Sequence, residues 1–360
     1  MLHASMLLLA TLCIGQAAPD TTTTPVYIGG QSGYHTYRIP ALVTAANGDL
    51  LAFCEGRKTS ASDAGDIDLL LRRSSDKGAT WTPVQVIHEE GGDAPITIGN
   101  PCPIVDRTTD RVHLLFCRNN AGVFYVFSDD HGATWSKPRE ITASLDGFDF
   151  PWTRVGTGPG HGLHLTTSSH KDRLIVPIWL NEKIRVNYRA ATIYSDDHGA
   201  TWHTGGLIGS EIADTNECMA YETQIDGKPA IALNMRARSS HTRSIATSTD
   251  GGKNWSVPTA VKNLPDPVCQ AAILRHRTSE GEGILLFSNP ADAESRVNMT
   301  VRTSRDEGKT WPDAKRLHTG PSGYSDLTEL SDGSIGCLYE CGDENYHQRI
   351  VFARFNPFQQ

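Results

Sequence analysis

The stretch Ser128-Asp129-Asp130-His131-Gly132-Ala133-Thr134-Trp135 recurs, nearly unchanged, along most of this 360-residue chain. Further copies follow the form Ser-x-Asp-x-Gly-x-Thr-Trp, with Asn254 in place of Thr in one of them, and they occupy residues 74–81, 195–202, 248–255 and 304–311. Five copies of an eight-residue pattern indicate that the chain is built from repeated units.

We call this eight-residue pattern the box. Each residue type in the box has a structural role. The Asp carboxylate caps a tight turn, the Gly supplies a positive φ, and the Trp packs beneath the turn as a small local core. Alternating, strand-like runs precede the copies, for example at residues 122–127 and 189–194. The box is therefore predicted to be a turn between β-strands.

The spacing of the boxes predicts the architecture. The box aspartates at 76, 130, 197, 250 and 306 are 54, 67, 53 and 56 residues apart, a mean of 57.5. This period suits one four-stranded antiparallel propeller blade of roughly 40–50 residues plus loops. Residues 27–360 then hold about six such periods, which predicts an all-β, six-bladed β-propeller in one domain. One blade lacks a box, and we expect it to be the blade that the chain ends share.

The N-terminus differs from the rest of the chain. Residues 6–14 are an apolar run followed by Gly15, Ala17 and Ala18, which is typical of a signal peptide although no Lys or Arg precedes the run. We expect residues 1–18 to be a signal peptide and 19–26 a flexible lead-in. The mature protein is then exported, and is secreted, periplasmic or bound at the cell surface. Glycosylation at the sequons of Asn254 and Asn298 would be disruptive, which favours a bacterial route.

Composition excludes several classes of function. The net charge is −8, which gives no support to nucleic-acid binding, and no later segment approaches the ~18 apolar residues of a membrane span. Metal-binding spacings are absent, so neither a metal nor a cofactor is expected. After Cys13 seven cysteines remain. Buried thiols are the favoured interpretation, with Cys102–Cys117 as the pair to test for a disulfide.

Arg38 begins an apolar strand in the motif Tyr37-Arg-Ile-Pro-Ala41. Alone, it is typical of a surface arginine at a strand end. An Arg-Ile-Pro motif followed by repeated boxes resembles the exo-α-sialidases of the bacterial type, which are six-bladed propellers. The resemblance covers essentially the whole chain after the apolar N-terminus.

The resemblance implies three arginines that bind the substrate carboxylate: Arg38, Arg236 and Arg296. Guanidinium groups suit this task because they stay charged and bind carboxylates through two parallel hydrogen bonds. Arg296 is preferred over Arg302, because Arg302 lies within a strand that leads into the last box.

The loop that follows Glu55-Gly-Arg57 contains the candidate acid/base, Asp63, as the resemblance implies. Asp66 and Asp68 lead into the next strand and are expected to cap a turn. For Arg57 two interpretations stay open: a substrate-binding residue that lines the pocket or contacts the carboxylate, and a solvated loop cation.

The resemblance also implies a nucleophile and its base. Glu217 and Glu222 point to opposite faces of an extended strand, so at most one faces the pocket, and the family pattern favours Glu217. Tyr324, in Gly320-Pro-Ser-Gly-Tyr324, matches the family's nucleophile. A neutral phenol suits an anomeric carbon that bears a carboxylate, because Glu217 can remove its proton as attack develops.

Together these residues imply an exo-α-sialidase that removes terminal α-linked sialic acids from glycans, glycoproteins or glycolipids with retention, through a tyrosyl intermediate. Two alternatives stay open. One is an intramolecular trans-sialidase that releases an anhydro product. The other is a sialic-acid-binding propeller without catalysis, although such a protein would not need Asp63, Glu217 and Tyr324 together.

Overall fold

The strand-like runs between the boxes form antiparallel sheets. The computed structural model describes residues 21–167, 170–183, 186–209, 214–277 and 283–357. Within these ranges the strands form six sheets, which are the blades of a six-bladed β-propeller and confirm the predicted fold. The innermost strands contact one another around a central channel.

The blades are numbered I to VI along the chain. From the channel outward their strands are β2 (Thr36–Thr44), β3 (Leu50–Arg57), β4 (Ile67–Ser74) and β5 (Gln85–His88) in blade I; β6 (Ile98–Val105), β7 (Val112–Arg118), β8 (Gly122–Ser128) and β9 (Arg139–Glu140) in II; β10 (Arg154–Thr157) with β11 (Leu163–His164), β12 (Leu174–Lys183), β13 (Val186–Ser195) and β14 (His203–Leu207) in III; β15 (Thr215–Ile225), β16 (Lys228–Ala237), β17 (Thr242–Ser248) and β18 (Thr259–Pro265) in IV; β19 (Ala272–Arg277), β20 (Gly283–Pro290), β21 (Met299–Ser304) and β22 (Asp313–Arg316) in V; and β23 (Ser322–Glu329), β24 (Ile335–Cys341), β25 (Arg349–Phe355) and β1 (Thr21–Ile28) in VI. A short 3₁₀ turn spans Thr142–Leu145.

Blade VI closes the ring with both ends of the described chain. Strand β1 pairs antiparallel with β25, from Thr21 opposite Phe355 to Ile28 opposite Arg349. In the other blades the box joins the third strand to the fourth, and in blade VI this connection is interrupted. The blade shared by the chain ends is therefore the one without a box, as predicted.

The predicted lead-in needs correction. Residues 21–26 are not a flexible segment but belong to β1, because their backbone groups complete the ladder of blade VI beside β25. The blades accordingly begin before residue 27. The predicted signal peptide, residues 1–18, lies outside the described residues.

Each box is a turn closed by its own side chains. The Ser128 hydroxyl donates to the Asp130 carboxylate at 2.8 Å and accepts a hydrogen bond from the Gly132 N–H at 2.8 Å. Thr134 donates to the same carboxylate from its backbone nitrogen at 2.8 Å and from Oγ1 at 2.6 Å. In the fourth copy Asn254 Nδ2 replaces the hydroxyl, donating at 2.7 Å. Gly132 has φ of 83°, the left-handed conformation that glycine adopts without strain.

Each box tryptophan was predicted to pack beneath its own turn as a small local core, and for three of them this prediction is wrong. Three of their rings pack on an aromatic ring of the preceding blade: Trp81 on Phe352 at 5.5 Å, Trp135 on Phe53 at 5.8 Å and Trp202 on Tyr125 at 5.8 Å between centroids. A side chain this large buries more apolar surface between two sheets than beneath one turn. These three boxes therefore link neighbouring blades, whereas the Trp311 ring packs on Phe287 of its own blade, with centroids 5.7 Å apart.

The hydrophobic core lies between the blades. One cluster, for example, joins Leu51 and Phe53 of β3 to Leu114 and Phe116 of β7. The seven cysteines after Cys13 are buried and free, so Cys102 and Cys117 are not bonded and the interpretation as buried thiols is confirmed. In the part of the chain that the structure describes, no helix has the length and apolarity needed to cross a membrane.

Strand direction separates two faces of the propeller. In each blade the first and third strands run the same way, and the boxes follow the third strand. The boxes therefore lie on one face, the box face, and the starts of the inner strands lie on the other, the front face. Single residues at these starts are close in space although they are far apart in sequence.

The inner strand of blade III is split because residues 158–162 cross the channel. The Pro159 carbonyl accepts a hydrogen bond from Gln270 Nε2 of blade V at 3.3 Å. His161 Nδ1 lies 2.7 Å from the Asp326 carboxylate of blade VI. This glycine-rich segment therefore ties several blades together at the axis.

Candidate active site

Several inner strands are irregular where they begin on the front face. Their pairing registers shift between Arg38 and Ala41, Gly99 and Cys102, Thr215 and Cys218, and Ser322 and Ser325. Such bulges re-aim side chains that a regular strand would point into the blade. Arg38, Glu217 and Tyr324, three residues predicted from the sequence, lie at these shifts and converge on the axis.

Tyr324 and Glu217 form the centre of the site. The Tyr324 hydroxyl donates to Glu217 Oε1 at 2.5 Å, which is short for a bond between a phenol and a carboxylate. Arg236 Nη1 donates to Glu217 Oε2 at 2.6 Å and to the Tyr324 hydroxyl at 3.3 Å. All three side chains are largely buried, so these contacts are little screened by solvent.

The surroundings hold Tyr324 in its neutral form. Burial and the neighbouring Glu217 carboxylate raise the pKa of the Tyr324 hydroxyl well above its usual value, and the opposing charges of Arg236 and Arg296 do not overcome them. The hydroxyl can therefore become a nucleophile only if its proton leaves as it attacks. The Glu217 carboxylate, which already accepts the hydrogen bond of this hydroxyl, can take up that proton.

Arg38 of blade I is fixed by a buried carboxylate on β24 of the neighbouring blade VI. Its Nε and Nη2 donate to the two oxygens of Glu340, at 2.9 and 3.0 Å. Glu340 also accepts hydrogen bonds from the backbone nitrogens of Ile39, at 2.9 Å, and Tyr324, at 3.0 Å. Burial raises the pKa of Glu340, but the Arg38 charge and these hydrogen bonds outweigh it, so the net pKa is lowered. Glu340 therefore holds an arginine and the backbone of Tyr324 together.

Arg296 lies beside Tyr324, whereas Arg302 does not. The guanidinium carbon of Arg296 is 5.7 Å from the centroid of the Tyr324 ring, and its Nη2 donates to the Val268 carbonyl at 3.1 Å. Arg302 Nη1 donates instead to Asn289 Oδ1 at 3.2 Å, within blade V. This geometry favours Arg296, the residue preferred from the sequence, over Arg302 as the third arginine of the pocket.

Asp63 lies at the rim of the pocket on the loop between β3 and β4. Its side chain is 85% exposed, and it accepts a hydrogen bond from Arg57 Nη1 at 2.9 Å. Arg38 Nη1 is 3.7 Å away. Although the side chain is exposed, partial desolvation by the neighbouring residues raises the pKa of Asp63, but the charges of Arg57 and Arg38 outweigh this effect and lower the net pKa below its usual value. The carboxyl is therefore ionised while the pocket holds no substrate.

Arg57 is not a solvated loop cation, one of its two open interpretations. It is 2% exposed and donates to Glu55 Oε2 from Nε at 3.0 Å and from Nη2 at 2.7 Å. Glu55 Oε1 in turn accepts a hydrogen bond from the backbone nitrogen of Asn100, at 3.0 Å. Arg57 is thus a buried residue that connects Glu55, on β3, to Asp63, on the loop that follows β3.

The remaining acidic candidates lie apart from this centre. Asp66 and Asp68 were expected to cap a turn, but they form ion pairs with Lys58 at 3.0 and 3.4 Å, because the loop folds back over this lysine. Glu222 accepts hydrogen bonds from Thr166 and is a blade residue, as expected. Among the described residues, no group of three or more His, Cys, Asp or Glu side chains is arranged to hold a metal ion.

Two residues that hold the arginines of the site, Glu340 and Glu55, were not predicted from the sequence. Each is a carboxylate within an otherwise mostly apolar, fully buried strand, at Ile335–Cys341 and Leu50–Arg57. A buried charge needs a partner, so a Glu in such a strand is itself a signal of a nearby cation. The identity of that cation could not be deduced from the local sequence.

Known proteins resemble this chain over most of its length. Residues 48–337 match a family model described as a BNR repeat-like domain. The chain is 35% identical to a sialidase of Micromonospora viridifaciens over 94% of its own length, and it spans 54% of that protein. It is 31% identical to Sialidase-3 of Mus musculus, covering 91% of this chain and 93% of the mouse protein. The solved structure of the Hadza microbial sialidase Hz136 covers 91% of this chain at 30% identity with a TM-score of 0.80, and 67% of that structure is matched. Similarity that extends over nearly the whole mouse relative shows that this chain belongs to the sialidase family of glycoside hydrolases.

Proposed function

We propose that this protein is an exo-α-sialidase that hydrolyses terminal α-linked sialic acids with retention of configuration. The observation that carries the proposal is the 2.5 Å hydrogen bond from Tyr324 to Glu217 in a pocket that also contains Arg38, Arg236 and Arg296. A buried phenol beside a base, surrounded by cations, suits a substrate with a carboxylate on the reacting carbon.

In the first step Tyr324 Oη bonds to the anomeric carbon while the bond to the leaving oxygen breaks. Glu217 accepts the phenolic proton, which makes attack possible at neutral pH despite the raised pKa of Tyr324. Arg236 contacts both partners and stabilises the negative charge that shifts between them. The sugar is then linked covalently to the protein through an aryl ether-type bond.

Asp63 supplies the proton to the leaving oxygen in this scheme. Its lowered pKa in the empty pocket comes partly from Arg38, which is also a proposed partner of the substrate carboxylate. A bound carboxylate adds negative charge beside Asp63 and offsets the Arg38 charge, and both effects raise the pKa of Asp63 towards that of an acid. In the second step Asp63 takes a proton from the attacking water, and Glu217 returns the proton to the departing Tyr324 oxygen.

The charge distribution supports recognition of an anion within the pocket rather than by the whole protein. The chain carries a net charge of −8, yet several guanidinium groups are gathered at the front face. We propose that sialylated glycans, glycoproteins or glycolipids are the partners and that the protein is exported through its apolar N-terminus.

The direct test is incubation with 3′-sialyllactose and analysis of the products by mass spectrometry and NMR. The proposal expects free sialic acid, released first as the α-anomer, together with lactose. An anhydro sugar would identify an intramolecular trans-sialidase instead. Saturable binding of sialyllactose without any product would identify a binding propeller.

A further inference from the structure

Tyr346 belongs to none of the sequence motifs, yet it lies against the proposed carboxylate site. It is half-buried in the turn between β24 (Ile335–Cys341) and β25 (Arg349–Phe355), on the front face of blade VI. The ring of His347 packs against it edge-on, with centroids 4.3 Å apart, and so limits its rotation.

Tyr346 contacts two of the pocket arginines at once. The guanidinium carbons of Arg38 and Arg296 each lie 5.4 Å from the centroid of its ring. The same two carbons lie 5.0 and 5.7 Å from the ring of Tyr324. Both guanidinium groups are therefore flanked by the same pair of rings, at distances at which cation–π attraction operates.

The hydroxyl of Tyr346 adds a contact to Arg296 alone. Arg296 Nη1 donates to it at 3.2 Å, and Nη2 donates to the Val268 carbonyl. Among the described residues no carboxylate lies within ion-pair distance of Arg296, whereas Arg38 is paired with Glu340 and Arg236 with Glu217. Arg296 is thus oriented by neutral oxygens and aromatic rings.

This difference has an electrostatic consequence. A carboxylate at the place of Tyr346 would also orient Arg296, but it would cancel most of its charge. A phenol and its π-face orient the guanidinium and leave the charge available to an anionic ligand. Arg296 then presents the least compensated positive charge of the three arginines.

The backbone beside Tyr324 is shaped to admit this ring. A Cβ atom at Gly323 would lie 2.9 Å from Cδ2 of Tyr346 and 2.1 Å from Oε2 of Glu340. Glycine immediately before the proposed nucleophile is therefore needed for close approach of both side chains. The Gly-Tyr pair of the sequence motif and the remote Tyr346 form one packing unit.

We infer that Tyr346 is a positioning residue for recognition of the substrate carboxylate. Its ring and hydroxyl hold Arg38 and Arg296 in place without neutralising Arg296. The inference rests on the proposed function, because it assumes a ligand whose carboxylate binds these arginines.

The test compares Tyr346→Leu, which removes ring and hydroxyl, with Tyr346→Phe, which removes the hydroxyl alone. The probes are the unsaturated sialic acid analogue and its methyl ester, which lacks the negative charge. We expect Tyr346→Leu to weaken inhibition by the acid about 5- to 30-fold and Tyr346→Phe by about 2- to 5-fold. Inhibition by the ester should change little. KM for sialyllactose should rise more than kcat falls, because the contact acts on binding.

Tyr339→Phe is the matched control, because Tyr339 lies in the core of the same blade and should leave both affinities unchanged. Melting curves establish that each variant is folded. If folded Tyr346→Leu binds the acid as well as wild type does, or loses affinity for acid and ester equally, the inference is overturned. If wild type itself binds neither the analogue nor sialyllactose, the proposed function fails and the inference fails with it.

Discussion

Asp130 in a box and Asp63 at the pocket rim are both aspartates on exposed loops with lowered pKa values, but their partners have different origins. Asp130 accepts its hydrogen bonds from Ser128 and Thr134 of its own turn, and its pKa is lowered to about 2. Asp63 depends on Arg57 and Arg38, and Arg38 is oriented by Glu340, 302 residues away in sequence. The box is a local structure, whereas the site exists only when blades I and VI meet.

The two regions should therefore respond differently to substitution. A change in one box affects one contact between two blades and leaves the others intact. The front-face site is different, because Arg38, Glu340, Tyr324, Glu217 and Arg236 share hydrogen-bond partners. A change in one of these residues also affects the others, so the effects on catalysis should be large and far from additive.

Tyr324→Phe should lower kcat/KM by about a thousand-fold or more, for natural and aryl sialosides alike, because the nucleophilic oxygen is removed while the ring remains. A 3-fluorosialyl donor should label wild type at Tyr324 and should not label the variant. Peptide mapping of the labelled protein checks the assignment. A label on Asp63 or Glu217, with Tyr324 unmodified, would contradict the proposed mechanism.

Asp63→Ala should lower kcat about 10²- to 10⁴-fold for sialyllactose but much less for aryl sialosides, whose phenolate leaves with little help from an acid. In wild type, kcat/KM for sialyllactose should fall as the pH rises, because Asp63 must be protonated to act as the acid and its pKa in the free enzyme is lowered. The variant should lose this dependence. Asp66→Asn, on the same loop, serves as the control, and equal losses on both substrate types would exclude Asp63 as the acid.

Trp202→Ala should destabilise the fold by about 3–5 kcal/mol and lower the melting temperature, because it leaves a cavity between blades II and III. The folded fraction should keep its kcat, since the box lies on the face opposite the site. Thermal unfolding and activity at a temperature well below the transition measure the two effects separately. A stable variant without activity would contradict the separation of the two faces.

Asp130→Asn should have the smallest effect. A carboxyl whose pKa is lower in the folded state stabilises the protein above its unfolded pKa, near 3.8, and loses this contribution as the pH falls towards about 2. The variant should thus be less stable than wild type at pH 6 by about 1 kcal/mol or less, because the turn is open to solvent. The two melting temperatures should converge near pH 2, and a constant difference would show that charge is not involved.

The boxes and the front-face site also differ in how far each is visible in the sequence. The boxes were found because each repeats a complete set of partners within eight residues, and their spacing then fixed the number of blades. Arg38, Glu217, Arg236 and Tyr324 were found through resemblance, and the structure brings them together. Glu340 and Tyr346 were missed because nothing near either residue in sequence identifies the arginines that it contacts. Their partners become visible only when the ring is closed.

The prediction of a flexible lead-in at residues 21–26 was wrong for a related physical reason. A run of threonines next to a predicted signal peptide has the polarity of a linker, and nothing near it in sequence requires pairing. Its partner strand, β25, is the last strand of the described chain. A threonine-rich segment is also a good edge strand, because its β-branched side chains suit the pleated backbone.

Because β1 pairs with β25, the two ends of the described chain lie side by side in blade VI. The propeller therefore does not require the chain to start at this particular blade. The described ends meet between the third and fourth strands of blade VI, at the position where each other blade has a box. A short box-like turn joining them would give a circular chain with six equivalent connections on one face. Such a molecule can be opened at any of the five natural boxes to give circular permutants with the same inter-blade packing. The front-face residues would keep their positions in every permutant, because they depend on the order of the blades around the axis rather than on where the polypeptide starts.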